Sequence, residues 1–282
     1  MEKRSRFNVK GRGKEVKNLK DYFTLVITIH ERKHTLETIQ KHYSDAPFNI
    51  IYSDSSREKT NLYLREGDTY LYFKNELYYK KMKKTLDLVN TPFVAEICDD
   101  MLLNLQSVVE CVDFLDKNKD YVVCDGLYSE KYKNISNRIL NIDQNNLSKL
   151  QRVEFFTRVN IWHALNHAVV RTKTLKTIYN FVANDPNLYP IRMFDKIWSY
   201  ISFFEGRHKK LNIRYCDYVP TVRILNDARI KYPTLLQKNL LFSQIRKDQQ
   251  KLLSLSKFLT LYGYGDEESF LFTQNLFRKN FE

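Results

Sequence analysis

Short apolar runs alternate with amphipathic stretches along the first half of the chain. Phe23–Ile29 is an unbroken, β-branched-rich run, too short for a typical helix, and predicts a strand buried on both faces. Residues 31–45 then place Leu36, Ile39 and Tyr43 at helical spacing, and PFNIIYSDSS gives a second buried strand that ends on Asp54. Strand, helix, strand within about 35 residues is a βαβ unit, which requires parallel strands and a right-handed crossover. Residues 62–73 alternate in part around a Gly67–Asp68 turn. Residues 75–89 predict a helix with Met82, Leu86 and Val89 along one face, Leu77, Lys81 and Lys84 on others, and Pro92 preventing continuation. FVAEICDD (93–100) is a third short strand ending in paired acids, NLQSVVECVDFLDKN (104–118) an amphipathic helix, and YVVCDG (121–126) a fourth strand.

The second half is less regular. Residues 128–160 are polar and Asn-rich, with a helix around KLQRVEFFTRV. A short strand at 168–170 precedes a helix, and residues 191–206 form a strongly apolar helix stopped by Gly206. LNIRYCDYVPTVRIL (211–225) has strand character. After Pro233, apolar residues recur at helical spacing from Leu235 and Leu236 through Leu240, Leu241 and Ile245 to Phe258. The pattern predicts an α/β fold of the doubly wound, Rossmann-like class: a mostly parallel sheet flanked by helices, with a C-terminal helical extension. It divides the chain into a basic arm (1–20), an α/β domain (21–230) and the extension (231–282).

Composition narrows the function classes. With 7 Gly among 282 residues, and neither a GxGxxG nor a GxxxxGK[ST] pattern, no glycine-rich phosphate loop is present. No apolar run reaches the ~18 residues that span a bilayer, and the first twenty residues lack the apolar stretch of a secretion signal, so the expected location is cytoplasmic. The 4 Cys form no CxxC pair and no Cys/His cluster, which argues against structural zinc or a disulfide framework. The net charge of +13 is concentrated in residues 1–20 and 207–257, leaving 21–206 near neutral. Basic flanks of this kind either dock on an anionic membrane or polymer or form a solvated face. A nucleic-acid binder also fits a pI near 9.4, but no RNP-type, zinc-finger or helix-turn-helix signature accompanies the charge, and no nucleic-acid partner is expected.

Ligands of open α/β sheets bind beyond the carboxyl ends of the strands. Asp54, the Asp99–Asp100 pair and Asp125 fall at or near such ends. Adjacent carboxylates repel each other, and a hard divalent cation relieves the repulsion while bridging a diphosphate. The same pair also reads as an exposed turn with a helix cap. Tyr70, Tyr72, Phe73, Tyr78 and Tyr79 read either as core or as a stacking surface for a base or sugar. His163 and His167 stand four residues apart without the glutamate of an HExxH zinc motif.

These segments, in this order, resemble a known family. FTLVITIHER is similar to the VSVVIPTYNR opening of family 2-like GT-A glycosyltransferases, and NIIYSDSS to their IIVVDDGS. TPFVAEICDD resembles the strand that ends in their DxD-type motif, and VVRTKTL the segment beyond the acceptor loop. FDKIWSYISFFEG resembles EDxDLxxRLxxxG, with Asp195 eleven residues before Gly206. The likeness spans about residues 22–225 and is nearest to a bacterial glycosyltransferase-domain group. It implies that Thr28 and Ile29 face the nucleotide, that Asp54 accepts hydrogen bonds from base or ribose, and that Asp99 contacts the donor. It implies that Asp100 holds Mn²⁺ or Mg²⁺ against the donor diphosphate and that Asp195 is the general base of an inverting transfer. His167 and Arg171 are the implied contacts to acceptor or phosphate. The implied partners are a nucleotide-sugar donor and a glycan or lipid-linked acceptor of surface polysaccharide synthesis. The extension then suits homo-oligomerisation or peripheral contact with the inner face of an anionic membrane.

The sequence departs from the family in four places. Thr28 replaces a proline, Glu31 an asparagine, Cys98 stands where some relatives carry an acid, and Phe194 removes one of two acids before the helix. Asp195 is therefore either the base or a helix cap, with Glu205 or an acid of the Asn-rich segment as the substitute. A GT-A module that has lost catalysis is the competing expectation.

Overall fold

The computed structural model describes residues 18–30, 33–128, 147–159, 167–184, 194–218, 256–265, 267–269 and 271. Most of the basic arm, residues 129–146 and 160 of the Asn-rich segment, Glu31, His163 and most of the C-terminal extension lie outside the described residues.

The elements run α1 (Leu19–Tyr22), β1 (Phe23–Ile29), α2 (Lys33–His42), β2 (Asn49–Asp54), β3 (Thr69–Tyr72), α3 (Tyr78–Asp87), β4 (Phe93–Cys98), β5 (Met101–Leu103), α4 (Leu105–Lys117), β6 (Tyr121–Tyr128), α5 (Lys149–Val159), β7 (Val169–Arg171), α6 (Thr172–Asn184), α7 (Phe194–Glu205) and β8 (Arg207–Tyr218). One eight-stranded sheet carries them in the order β3-β2-β1-β4-β7-β6-β8-β5. β3, β2, β1 and β4 are mutually parallel, as the βαβ pattern requires. β7 runs antiparallel to both β4 and β6, β8 is parallel to β6, and β5 closes the edge antiparallel to β8. The sheet is thus parallel in its first half and mixed in its second. β7, three residues long, is the strand that reverses, and it leads straight into α6.

Alternation along the strands explains the two cores. In β1, Phe23, Leu25, Ile27 and Ile29 face a layer built from α2 and α4, through Leu36, Ile39, Tyr43, Val108 and Leu115. Val26 faces the other layer, where Met82 and Leu86 of α3 meet Leu175 and Ile178 of α6 and Trp198 and Ile201 of α7. A strand apolar on both faces needs helices on both sides, which is why its sequence reads as an unbroken run. The helix at 256–261 joins the second core through Phe258 and Leu259, with Phe258 set edge-on to Phe181 and Phe204 at 5.4 Å each. This piece of the extension packs on the α/β domain.

Three sequence expectations are refined. Residues 69–72 are a full parallel strand rather than the flank of a turn, and the last strand starts at Arg207, directly after Gly206. Lys81, expected off the apolar face of α3, is buried beside Met82, Thr85 and Leu86. The Gly67–Asp68 turn is fastened by Arg65, whose guanidinium donates to Tyr43 O, Ala46 O and Phe48 O at 2.7–2.9 Å and to both oxygens of Asp68. Gly67 has φ +91°, and a Cβ there would meet Asn49 Oδ1 at 2.6 Å, so no other residue fits without strain.

Candidate active site

Parallel pairing places Ile29 opposite Asp54 and Thr28 opposite Cys98. The carboxyl ends of β1, β2 and β4 therefore share one edge, and Asp54, Asp99 and Asp100 are brought to it from two strands.

Asp54 is fully enclosed. Its carboxylate accepts from Ser56 N at 2.8 Å, Thr60 N at 3.3 Å and the Tyr70 hydroxyl at 2.6 Å. Burial alone would raise its pKa, but the donors of Ser56, Tyr70 and Thr60 outweigh burial and hold it below the usual value. Asp54 thus braces the turn that follows β2. Tyr70 is the brace's second member, and Tyr72 fastens the same turn through Arg57 O at 2.9 Å. These two rings are occupied as hydrogen-bonding parts of the edge.

Thr28 and Ile29 reach the edge through backbone. The Ile29 side chain lies wholly in the core, and the Thr28 hydroxyl donates to Ile97 O at 3.1 Å, tying β1 to β4. A proline could not make that bond, so the departure has a local reason.

Asp99 is buried and accepts the His30 amide at 3.2 Å, while Asp100 is half-exposed beside it. Burial, with Asp100 next, pushes the Cys98 thiol up to about 12, so it remains a neutral thiol. The donor chemistry is compatible with a hard divalent cation, which Asp100 would hold, since Mg²⁺ and Mn²⁺ accept carboxylate oxygen. An all-protein cage is not formed: among the described residues no three His, Cys, Asp or Glu side chains converge.

Beneath this edge lies a cation that sequence reasoning missed. Lys81 Nζ donates to Ser53 O at 3.1 Å, Ile29 O at 3.3 Å and Ser55 Oγ at 3.1 Å. Burial pushes its pKa down to about 8, against the pull of Asp54 and Asp99. The signal was present: residues 78, 81, 82, 85, 86 and 89 form one helical stripe, and Lys81 stands in its middle.

The remaining expected residues separate. His167 Nδ1 lies 2.9 Å from Glu96 O, which places the ring near the carboxyl end of β4. A carbonyl only accepts, so Nδ1 carries the hydrogen. Arg171 pairs with Phe93 at the opposite end of β4. Its guanidinium donates to Leu115 O, Asn118 O and Tyr121 O, capping α4, and burial lowers its pKa. Arg171 is therefore not brought to the edge. Asp195 is the second residue of α7, and its side chain lies outside the described residues. Asp125 is turned inward, in a buried ion pair with Lys210 at 2.9 Å.

No family model and no curated protein sequence matches the chain. Among solved structures it is similar to S. aureus TarS 1–349, with a TM-score of 0.50 and 13% identity, covering 90% of each chain. A longer S. aureus TarS chain matches with a TM-score of 0.45 and 14% identity over 83% of this chain, which spans 43% of that one. The mannosyltransferase PcManGT from Pyrobaculum calidifontis, in complex with GDP-Man and Mn²⁺, matches with a TM-score of 0.49 and 10% identity, over 89% of this chain and 68% of that one. Likeness at such identities concerns the fold. The class is therefore defined: the chain has the GT-A glycosyltransferase fold.

Proposed function

We propose that the chain is a glycosyltransferase that moves a sugar from a nucleotide-sugar donor to a hydroxyl of a glycan or lipid-linked acceptor, with inversion, in surface polysaccharide synthesis. The observation that carries this is the half-exposed Asp100, beside buried Asp99, at the edge where β1 and β2 also end, in a chain of GT-A fold.

In this reading the nucleotide lies across the β1 and β2 ends, against backbone at Thr28–His30 and the turn braced by Asp54. Asp100 would hold Mn²⁺ or Mg²⁺, which when bound offsets the charge that develops on the departing nucleoside diphosphate. The acceptor oxygen attacks the anomeric carbon, the bond to the diphosphate breaks, and Asp195 takes the hydroxyl proton. No helix among the described residues is long and apolar enough to cross a membrane. The basic flanks would supply peripheral contact with an anionic surface, which liposome co-sedimentation at low salt measures.

A second reading, a GT-A module without catalysis, is favoured by the neutral Cys98 thiol where some members of the resembled family carry an acid. Release of nucleoside diphosphate from UDP- and GDP-sugars, with Mn²⁺ and a panel of glycan and lipid-linked acceptors, separates the two. Asp100→Ala and Asp195→Ala should each lower turnover by about 100-fold or more. Transfer that survives both substitutions would remove the proposed roles, and no release from any donor would favour the inactive module.

A further inference from the structure

The edge contains a hydrogen-bonded chain that begins at a buried ammonium and ends at an exposed imidazole. Lys81 has three N–H donors, and its three acceptors are Ile29 O, Ser53 O and Ser55 Oγ. Ser55 Oγ therefore receives a hydrogen from Lys81 and has one of its own to give. Two acceptors lie within reach. Ile29 O is 3.5 Å away and already accepts from Lys81 and, at 3.1 Å, from Ser55 N. His30 Nδ1 is nearer, at 3.3 Å. With both lone pairs of Ile29 O engaged, His30 Nδ1 is the remaining acceptor open to the Ser55 hydrogen. A neutral imidazole that accepts at Nδ1 carries its hydrogen at Nε2.

The His30 backbone is held as well, by its amide bond to Asp99 Oδ2 at 3.2 Å. The ring itself is exposed, while Ser55 and Lys81 are buried. His30 thus stands beside Asp99, with the buried Ser55 and Lys81 below its ring.

We propose that Lys81, acting through Ser55, fixes His30 as the Nε2–H tautomer, and that His30 donates this hydrogen to an oxygen of a bound nucleoside diphosphate. Lys81 and Ser55 are positioning residues; His30 is the contact. The ligand half of the proposal rests on the glycosyl-transfer reading, whereas the tautomer half rests on the hydrogen-bond geometry alone.

Two measurements on the full chain test the halves separately. Long-range ¹H–¹⁵N spectra of ¹⁵N-histidine protein report which ring nitrogen is bare, with His30 assigned by its loss in His30→Gln. The wild type should show a bare Nδ1, and Ser55→Ala and Lys81→Met should each shift His30 toward a mixture of tautomers. A purely structural role for Lys81 would leave the tautomer unchanged in any variant that folds, and a wild-type Nδ1–H tautomer overturns the proposal outright. Calorimetric titration with UDP and with GDP, in Mn²⁺, tests the ligand half. His30→Phe should weaken binding about fivefold, the usual value of one hydrogen bond. His30→Gln, whose amide nitrogen reaches the Nε2 position, should retain most of the affinity. Equal affinity in His30→Phe refutes the contact. If the wild type binds neither nucleotide, the glycosyl-transfer reading and the contact fall together, and the spectrum still decides the tautomer.

Discussion

Replacing Asp54 by Asn tests the idea that this carboxylate braces the edge. The wild-type side chain is fully enclosed and accepts hydrogen bonds from Ser56 N, Thr60 N and Tyr70 OH, among others. An amide keeps one accepting oxygen and turns an NH₂ toward groups that themselves donate. Hydrogen bonds to a charged group contribute about 1.5–3 kcal/mol each, so losing one and weakening the others should cost about 2–3 kcal/mol. For a chain of this size that lowers the Tm by roughly 4–10 °C. The loss should also depend on pH. The folded pKa of Asp54 lies below its ordinary value of 3.8, so the stabilisation is fully present above that value and disappears as pH falls through the folded pKa. Below it the protonated acid and the amide both offer one acceptor and one donor, and the two proteins converge. Urea unfolding of wild type and Asp54→Asn at pH 7 and at successively lower pH, through and below 3.8, measures both effects. A difference below about 0.5 kcal/mol at pH 7, or one that does not shrink as pH falls below 3.8, would refute the bracing role.

Further predictions follow from other buried groups. Arg65→Ala removes five hydrogen bonds and should cost about 3 kcal/mol or more in urea unfolding; Arg65→Lys, with three donors and no fork, should recover less than half. Lys210→Met strands the Asp125 carboxylate and should cost about 3–5 kcal/mol at pH 8. Burial already raises the Asp125 pKa against the pull of Lys210, and a raised folded pKa favours the neutral acid at low pH. The loss should therefore shrink toward pH 5, and a loss independent of pH would contradict this. Phe258→Ala should cost about 3 kcal/mol and expose residues 256–261 to protease, because Phe258 packs in the core with Phe204 and Phe181.

The half of the fold built from β1, β2 and β4 was legible because its strands are buried on both faces, which leaves unbroken apolar runs in the sequence. The acid pair was legible for the same reason, since it interrupts the run at the end of β4. Strand direction in the second half was not. An antiparallel strand presents its N-terminal end where its parallel neighbours present their carboxyl ends. So His167, just before β7, comes near the edge, while Arg171 at the far end of β7 caps α4. Residue type also misled: Lys81 was set apart from the apolar face of α3, although its spacing placed it on the buried stripe. The bracing by Arg65 had no sequence signal, because three of its acceptors are backbone carbonyls between α2 and β2.

The proposed glycosyl transfer requires the edge around Asp100 to bind an activated nucleotide with a divalent cation. Thermal unfolding of wild type and Asp100→Ala against UDP, GDP and their sugar conjugates, with and without Mn²⁺, tests this requirement. A ligand at a hundredfold over its Kd adds about 2.7 kcal/mol of stability. A Tm rise of several degrees with one nucleotide, present only with Mn²⁺ and lost in Asp100→Ala, is the predicted result. A Tm that no nucleotide moves, or a shift that survives Asp100→Ala unchanged, would contradict it.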